Sequence, residues 1–422
     1  MERLRVGIDI RPLQSSGGSA ERGIGRYVTD LIVGLRDHAP RIEPVLLGLA
    51  GRQVPAAFSG LETVPVHGPI FGEAAKPWFG HIPKLRSSST LWGRRHRRLR
   101  GELADGMTRA VAGARLDVLH FPSAVDVGSY PEGEFDIPQV RTFLDAIPFR
   151  ERGTYLDRWP AFMQDYYREQ LTGLNQAEIV VAISRASADD AREIAGVPES
   201  KLRVVYPAVS DRYREATGPP PFGFIPKKYV LFCSVPDPHK NPEVAMRAFA
   251  LADLDPAIGL VFVCPLDRPE SANLARLAES LGITDRFAMT GHVAEDEMPA
   301  LFANGLVLLS PSRIEGFGLP AAQGMAAGTP VLASDSTALG EIVGGRGFQG
   351  GEPFQAGGLA PADDVTAFAR LLRTFATDPG AGTVYSSLGR QRAQRFTPAN
   401  QACALEAIYF EAAGRSSARP SA

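Results

Sequence analysis

Three short stretches of this chain join residue types able to do chemistry to the loop formers that would expose them. The first is Ser312-Arg313-Ile314-Glu315-Gly316-Phe317-Gly318-Leu319-Pro320, directly after the apolar run GLVLLSP and ahead of the helical pattern AAQGMAAG. One carboxylate beside two glycines and a proline, between a buried strand and a helix start, offers exposed backbone N–H groups and one fixed acceptor. Such a loop suits a polyhydroxylated ligand, with Glu315 accepting from hydroxyls and the amides meeting ligand oxygens. A glutamate that only caps the helix is the alternative. The second stretch, Val235-Pro236-Asp237-Pro238-His239-Lys240-Asn241, follows YVLFCS and precedes a helix from Pro242. An ammonium at a strand's carboxyl end, just before a helix start, is placed to neutralise a phosphate; a solvated turn lysine is the alternative. The third follows LRVGIDI and holds Gly17, Gly18, Gly23, Ile24 and Gly25 before Arg26-Tyr27 and a helix. Its glycines would let amides approach a phosphate, although Val28 stands where the dinucleotide fingerprint has its third glycine, which argues against a nicotinamide site. An ordinary strand-to-helix loop explains it as well.

The elements that must carry these loops are legible as short β-branched runs alternating with amphipathic stretches. LRVGIDI, EPVLLGL, LDVLHFP, PQVRTFL, AEIVVAIS and LRVVYPA come first, then KYVLFCS, GLVFVCP, RFAMTG, GLVLLSP and TPVLAS. Runs apolar on both faces mark parallel strands between helix layers, so the class is α/β built of βαβ units. The length of 422 residues exceeds what one core usually supports and predicts two domains of about 150–250 residues. The break falls at Gly218-Pro219-Pro220-Pro221-Phe222-Gly223, with Pro226 just after, because successive prolines neither continue a helix nor donate to a sheet. A helical pattern from Asn400 to Ala413 follows Thr397-Pro398, and SSARPSA reads as a frayed tail. Ligands of two such sheets bind at the carboxyl ends of the strands, in a cleft.

Charge and composition exclude several classes. With 45 Lys plus Arg against 47 Asp plus Glu, the net charge is −2, without the basic excess of a nucleic-acid binder. No apolar run approaches the roughly 20 residues that span a bilayer, and MERLRVGIDI lacks a secretory apolar stretch. Cys233, Cys264 and Cys403 form no ligand spacing and read as buried thiols of a reducing compartment. A cytoplasmic protein, touching a membrane at most peripherally, is the expectation. Residues 51–100 carry nine basic side chains against two acidic, with Arg94, Arg95, Arg97, Arg98 and Arg100 near Trp78, Phe79 and Trp92. That mixture suits an anionic membrane surface, or is a plain solvated helix.

Taken in order, six segments resemble family 4 retaining glycosyltransferases of the GT-B fold along nearly the whole chain. They are GIDIRPL with GIGRY, LDAIPFRE, VAISRASADDA with GVPESKLRVVYPAV, DPHKNPEVAMRAFA, MTGHVAEDEMPALFANG and EGFGLPAAQGMAAGTPVLAS. The resemblance implies two Rossmann-like, doubly wound domains facing a cleft. Residues 1–217 would form the acceptor side, 218–228 the linker and 229–398 the donor domain, with a last helix at 399–415 crossing back to the first domain. It implies transfer of a hexosyl unit from a UDP-, GDP- or ADP-linked sugar to a glycan or lipid-linked hydroxyl, with retention, and with neither metal nor cofactor. Lys240, Glu315 and Asp145 would be the catalytic residues. Gly23, Ile24, Gly25, Ser234, His292, Val293, Gly316, Phe317, Gly318, Leu319 and Gln323 would join Lys240 and Glu315 around the donor. Of these, Glu315 falls at the sugar hydroxyls, Gln323 at the ribose, and His292 with Val293 beside the base.

Four positions, in three of the family's motifs, depart from its pattern. Its His falls on Leu144, its Gly-Arg pair on Ser234 and Val235, and its second Glu on Gln323. Leu144 cannot hydrogen-bond a sugar, Val235 removes one cation from the diphosphate, and Gln323 loses a charge that roughly doubles a hydrogen bond's strength. Arg11, Arg26 and Arg313 lie in or beside motif loops and are the candidates to compensate. Three readings follow: an active glycosyltransferase of surface polysaccharide or glycolipid synthesis, a GT-B module without catalysis that binds glycan or scaffolds another transferase, or a different GT-B chemistry such as a phosphorylase or a nucleotide-sugar epimerase.

Overall fold

A computed structural model describes residues 2–14, 23–68, 89–125, 133–220, 222–223, 228–344 and 355–415, the side chains of 89–97 and 162 excepted. Gly17, Gly18, Trp78, Phe79, Pro221, Pro226, the SSARPSA tail and the side chains of Trp92, Arg94, Arg95 and Arg97 lie outside the described residues.

Strands enclosed by helices on both sides need apolar side chains in both directions. The first sheet meets that need: Leu46 and Leu47 on one strand, and Val180 and Val181 on another, point to opposite faces and are all fully buried. Its strands are β1 (Leu4–Asp9), β2 (Ile42–Leu49), β3 (Glu62–Val66), β4 (Val118–Phe121), β5 (Gln139–Phe143), β6 (Ile179–Ala182) and β7 (Leu202–Val204). They lie in the order β3-β2-β1-β4-β5-β6-β7. The second sheet holds β8 (Lys228–Cys233), β9 (Ile258–Val263), β10 (Phe287–Met289), β11 (Val307–Ser310), β12 (Val331–Ser334) and β13 (Gly358–Ala360), ordered β10-β9-β8-β11-β12-β13. Every pairing among the described strands is parallel. Both sheets are therefore doubly wound. The chain runs outward in one direction, then restarts beside the first strand, so the order reverses between β1 and β4 in one sheet and between β8 and β11 in the other.

Two strands, β3 and β13, were not foreseen. Both are sheet edges: β3 is mostly solvent-facing and contains Pro65, and β13 has three residues in a glycine-rich stretch. A four-residue helix, Arg11–Gln14, follows β1, and the longer helix ahead of β2 starts earlier than its spacing indicates. It spans Gly23–His38, so Gly23, Ile24 and Gly25 form its first turn instead of a loop ahead of it. First-turn amides lack helical acceptors in any case, and glycine is tolerated there.

By its contacts the chain divides into Met1–Ala208 with Pro398–Ala422, and Val209–Thr397. This division precedes the proline-rich stretch. Residues 209–217 are already fastened to the second unit: Val209 N–H donates to the Phe396 carbonyl at 2.8 Å, Arg214 Nη2 to the Ala393 carbonyl at 2.8 Å, and the Tyr213 ring meets Phe302 edge-on at 5.5 Å. Gly218 is held as well, its carbonyl accepting from Asn304 Nδ2 at 2.8 Å.

The helix Pro398–Ala412 closes the first unit. It lies on the 23–38 helix, where a Cβ at Gly34 would sit 3.3 Å from the Pro398 carbonyl oxygen. Arg41 binds Glu406 at 2.9 Å and stacks 4.1 Å from the Phe410 ring centroid, all three nearly buried. Among the three cysteines, Cys264 is buried and Cys233 half-buried, but Cys403 is exposed on the outer face of this last helix, against the expectation of three buried thiols. No helix among the described residues is long and apolar enough to cross a membrane.

Candidate functional site

In a parallel sheet all carboxyl ends lie on one edge, and ligands gather there at the reversal of strand order. In the second sheet that reversal lies between β8 and β11, the two strands that lead into the lysine loop and the glutamate loop. After β8 the chain makes a single 3₁₀ turn, Pro238–Lys240, then Asn241 at φ +58°, then the helix Pro242–Leu251. After β11 it reaches Gly318 at φ +93°, which caps the helix Leu319–Ala327, and Gly328 at φ +82° ends that helix. Only glycine suits position 318, since a Cβ there would also lie 2.6 Å from Leu339 Cδ2.

These two turns bring Lys240 and Glu315 together. The ammonium donates to both carboxylate oxygens, at 2.8 and 2.7 Å, and the side chains keep 16% and 10% of their surface. The pair is thus sheltered but open to solvent. Arg313 joins the same two loops: its N–H donates to the His239 carbonyl at 2.8 Å and its Nη1 to the Pro238 carbonyl at 3.0 Å. Its guanidinium also binds Asp363, after β13, at 2.8 Å, and holds that carboxylate below its ordinary range. Asn241 Nδ2 donates to the Ala362 carbonyl at 2.8 Å and to Asp363 at 3.0 Å. His239 is buried beside Lys240. Burial first, and the neighbouring ammonium second, push its pKa down to about 4, so it stays neutral.

The remaining donor-side candidates lie on or behind the same edge. Phe317 is buried with its ring edge-on to Phe396 at 5.3 Å, which anchors the glutamate loop, and Gly316 is buried beside it. Leu319 opens the helix, and Gln323 is buried within it, 5% exposed. Ser234 and Val235 are half-buried after β8. His292 is exposed and Val293 buried, both following Gly291 at φ +75° beyond the end of β10. An ammonium, a carboxylate and two helix N-termini on one edge form a place for an anion next to hydroxyls.

The first sheet carries a different arrangement at its reversal. Arg11 is fully buried and grips Asp9 in two-pronged fashion, Nε to Oδ1 and Nη2 to Oδ2, each at 2.8 Å. That burial corrects its candidacy as a compensating cation, because a sealed guanidinium committed to a carboxylate does not neutralise a phosphate. Arg26 sits half-buried on the first turn of the 23–38 helix. Asp145 is half-buried after β5, its Oδ1 accepting from the Ile147 N–H at 3.1 Å, while the Leu144 carbonyl accepts from Ser187 Oγ at 2.7 Å. Behind them runs a buried polar chain: Tyr409 OH to His120 Nδ1 at 2.7 Å, His120 Nε2 to Thr142 Oγ1 at 2.9 Å, and Thr142 to Tyr27 OH at 3.3 Å. Burial pushes the His120 pKa down to about 3 and raises both tyrosines.

Sequence reasoning missed Asn241, Asp363, Thr337 and His239 as parts of the second edge. Thr337 Oγ1 accepts from the Glu315 N–H at 3.0 Å. Asn241, a turn-forming residue before Pro242, and His239, next to Lys240, stand within the lysine stretch; Asp363 and Thr337 depend on pairings between distant loops.

Comparison with known proteins accords with this geometry. Residues 22–213 match the family model Glycosyltransferase Family 4, and residues 223–394 match Glycosyl transferases group 1. The serotype-specific mannosyltransferase WbdA of Escherichia coli is 26% identical over 236 residues, covering 51% of this chain and 28% of that protein. D-inositol 3-phosphate glycosyltransferase of Streptomyces bingchenggensis is 30% identical over 262 residues, covering 58% of this chain and 54% of its own length. The chain thus spans about half or less of these relatives. Sucrose-phosphate synthase of Thermosynechococcus elongatus superposes with a TM-score of 0.71 at 18% identity, covering 97% of this chain and 99% of the other. HepE of Anabaena, solved with UDP and glucose, gives 0.65 at 19%, covering 94% and 98%. At such identity the likeness speaks for the fold alone, two parallel-sheet α/β domains of the GT-B type.

Proposed function

We propose, for a chain whose halves are a Glycosyltransferase Family 4 domain and a group 1 glycosyltransferase domain, that it moves a hexosyl unit from a nucleotide-sugar to a hydroxyl of a glycan or glycolipid. The observation that carries this reading is the Lys240–Glu315 pair at the reversal of the second sheet. A departing nucleoside diphosphate gains negative charge as the glycosidic bond breaks. Lys240, with the N-termini of the 242–251 and 319–327 helices, meets that charge without a metal ion. Glu315 then exchanges its ammonium partner for hydroxyls of the sugar, and the Phe317, Gly318 and Leu319 amides face its oxygens. Gln323 falls to the ribose, and His292 with Val293 to the base.

The stereochemical course in this reading is retention, the leaving phosphate oxygen assisting attack on the same face. The mannosyltransferase name of one relative and the UDP and glucose of a structural neighbour support a hexosyl donor with a UDP or related nucleotide. Work on surface polysaccharide or a lipid-linked acceptor at the inner membrane face belongs to the same proposal. The test is release of nucleoside diphosphate from a panel of UDP-, GDP- and ADP-sugars, with product anomers assigned by NMR. Turnover of one donor with retained configuration is the expected outcome; a protein that binds none of the panel would sink the reading.

A further inference from the structure

Just past the carboxyl end of β12, one residue holds a conformation that its side chain disfavours. Thr337 has φ +42°, in the left-handed region, where a β-branched side chain crowds its own backbone. Thr337 is exposed, so no core packing drives it there. What the conformation achieves is a contact: the Thr337 hydroxyl accepts from the Glu315 N–H at 3.0 Å. Three residues earlier, the Ser312 carbonyl accepts from the hydroxyls of Ser334 and Ser336, the latter at 3.0 Å. The 312–315 stretch is therefore tied to the β12 loop at both ends, by a carbonyl and by an amide. The second tie lies at the residue whose carboxylate meets Lys240. Strain of this kind persists where the surroundings enforce it, and such sites cluster around function.

We infer that Thr337 is a positioning residue for Glu315, its hydroxyl fixing the main chain from which the carboxylate extends. It thereby governs how the site holds the sugar of the donor and leaves the hold on the nucleotide untouched. This rests on the reading of Glu315 given above. Three substitutions separate the hydroxyl from the strain. Thr337→Ser keeps the acceptor, Thr337→Val keeps shape and strain without it, and Thr337→Gly removes both.

Binding is measured by calorimetry with whichever of UDP-glucose, GDP-mannose and ADP-glucose binds the wild type most tightly, and with the matching free nucleoside diphosphate. The expected result is sugar-nucleotide affinity weakened about tenfold in Thr337→Val and Thr337→Gly, with Thr337→Ser near wild type and free-nucleotide affinity unchanged throughout. Thr337→Gly should also melt about 2–4 °C higher, so that stability and sugar affinity move in opposite directions. Equal losses for nucleotide and sugar-nucleotide, or wild-type affinity in Thr337→Val, overturn the inference. Amide exchange at Glu315 needs no ligand: it should be faster in Thr337→Val and preserved in Thr337→Ser, and equal protection in the two overturns the contact itself. If the wild type binds no sugar-nucleotide, the proposed function fails and takes the donor role of Thr337 with it. If it does bind and Thr337→Val matches it, only the positioning role fails.

Discussion

Each sheet carries a two-pronged ion pair beside the reversal of its strand order, and the two pairs live in opposite surroundings. Asp9 and Arg11 keep 1% and 0% of their side-chain surface, and Arg11 adds its own N–H to the same carboxylate at 3.0 Å. Lys240 and Glu315 keep 16% and 10%. Two charges fully withdrawn from water are bound to one another, since removing either leaves the other stranded. Two charges that still meet solvent exchange partners at far lower cost. One fold has thus placed a rigid brace and an exchangeable pair at equivalent points of its two halves. The surrounding residues follow suit. Behind the first edge lies a buried Tyr–His–Thr–Tyr chain, and around the second lie half-exposed carboxylates and guanidiniums.

The contrast breaks most directly at Arg11. Arg11→Ala should cost the first unit about 3–5 kcal/mol in urea denaturation, the toll of a buried unpaired carboxylate. A loss no larger than that from Lys240→Ala would erase the distinction. For Lys240→Ala the larger effect is expected in turnover, a fall of about 10²–10³, or about 3–4 kcal/mol of transition-state stabilisation; wild-type release of nucleoside diphosphate would remove its phosphate role.

Acid sharpens the comparison next. Unfolded histidine takes a proton near pH 6.5, whereas buried His120 stays neutral down to about 3 and His239 to about 4. Between those limits the unfolded chain binds more protons, so stability falls as pH falls, by about 1.4 kcal/mol per pH unit for each histidine. Unfolding followed from pH 6 to pH 4.5 should show this slope, and His120→Gln should flatten the share belonging to the first unit. An unchanged slope would mean that His120 is protonated in the folded protein. The smallest effect is expected at Arg313. Its pair with Asp363 is 39% and 66% exposed, so Arg313→Ala should cost at most about 1 kcal/mol, shrinking with added salt.

Much of the architecture was legible because buried parallel strands announce themselves: Val230, Leu231 and Phe232, or Val307, Leu308 and Leu309, are apolar whichever face they point to. The edge strands β3 and β13 were illegible for the converse reason, since one flank of each meets no neighbouring strand and their residues carry little pattern. In the site, Lys240 and Glu315 could be named from their loops, being charged residues set among glycine and proline before helix starts. Their direct contact could not, because it depends on β8 and β11 being neighbours. Thr337 and Asp363 were invisible for the same reason, each acting on a loop 22 or 50 residues away. Arg11 misled because a cation beside a motif loop reads alike whether it faces water or the core.

The helix that completes the first unit begins at Pro398, after the whole of the second. On the ribosome, Tyr27, His120 and Thr142 emerge long before Tyr409, the hydroxyl that closes their chain. Nascent polypeptide up to Ala208 therefore holds a sheet whose last covering segment is still untranslated, while the 209–397 unit is free to settle on its own. Synthesis order makes the amino-terminal half the last to mature, and a truncation between residues 209 and 397 would damage that half although it removes none of residues 1–208.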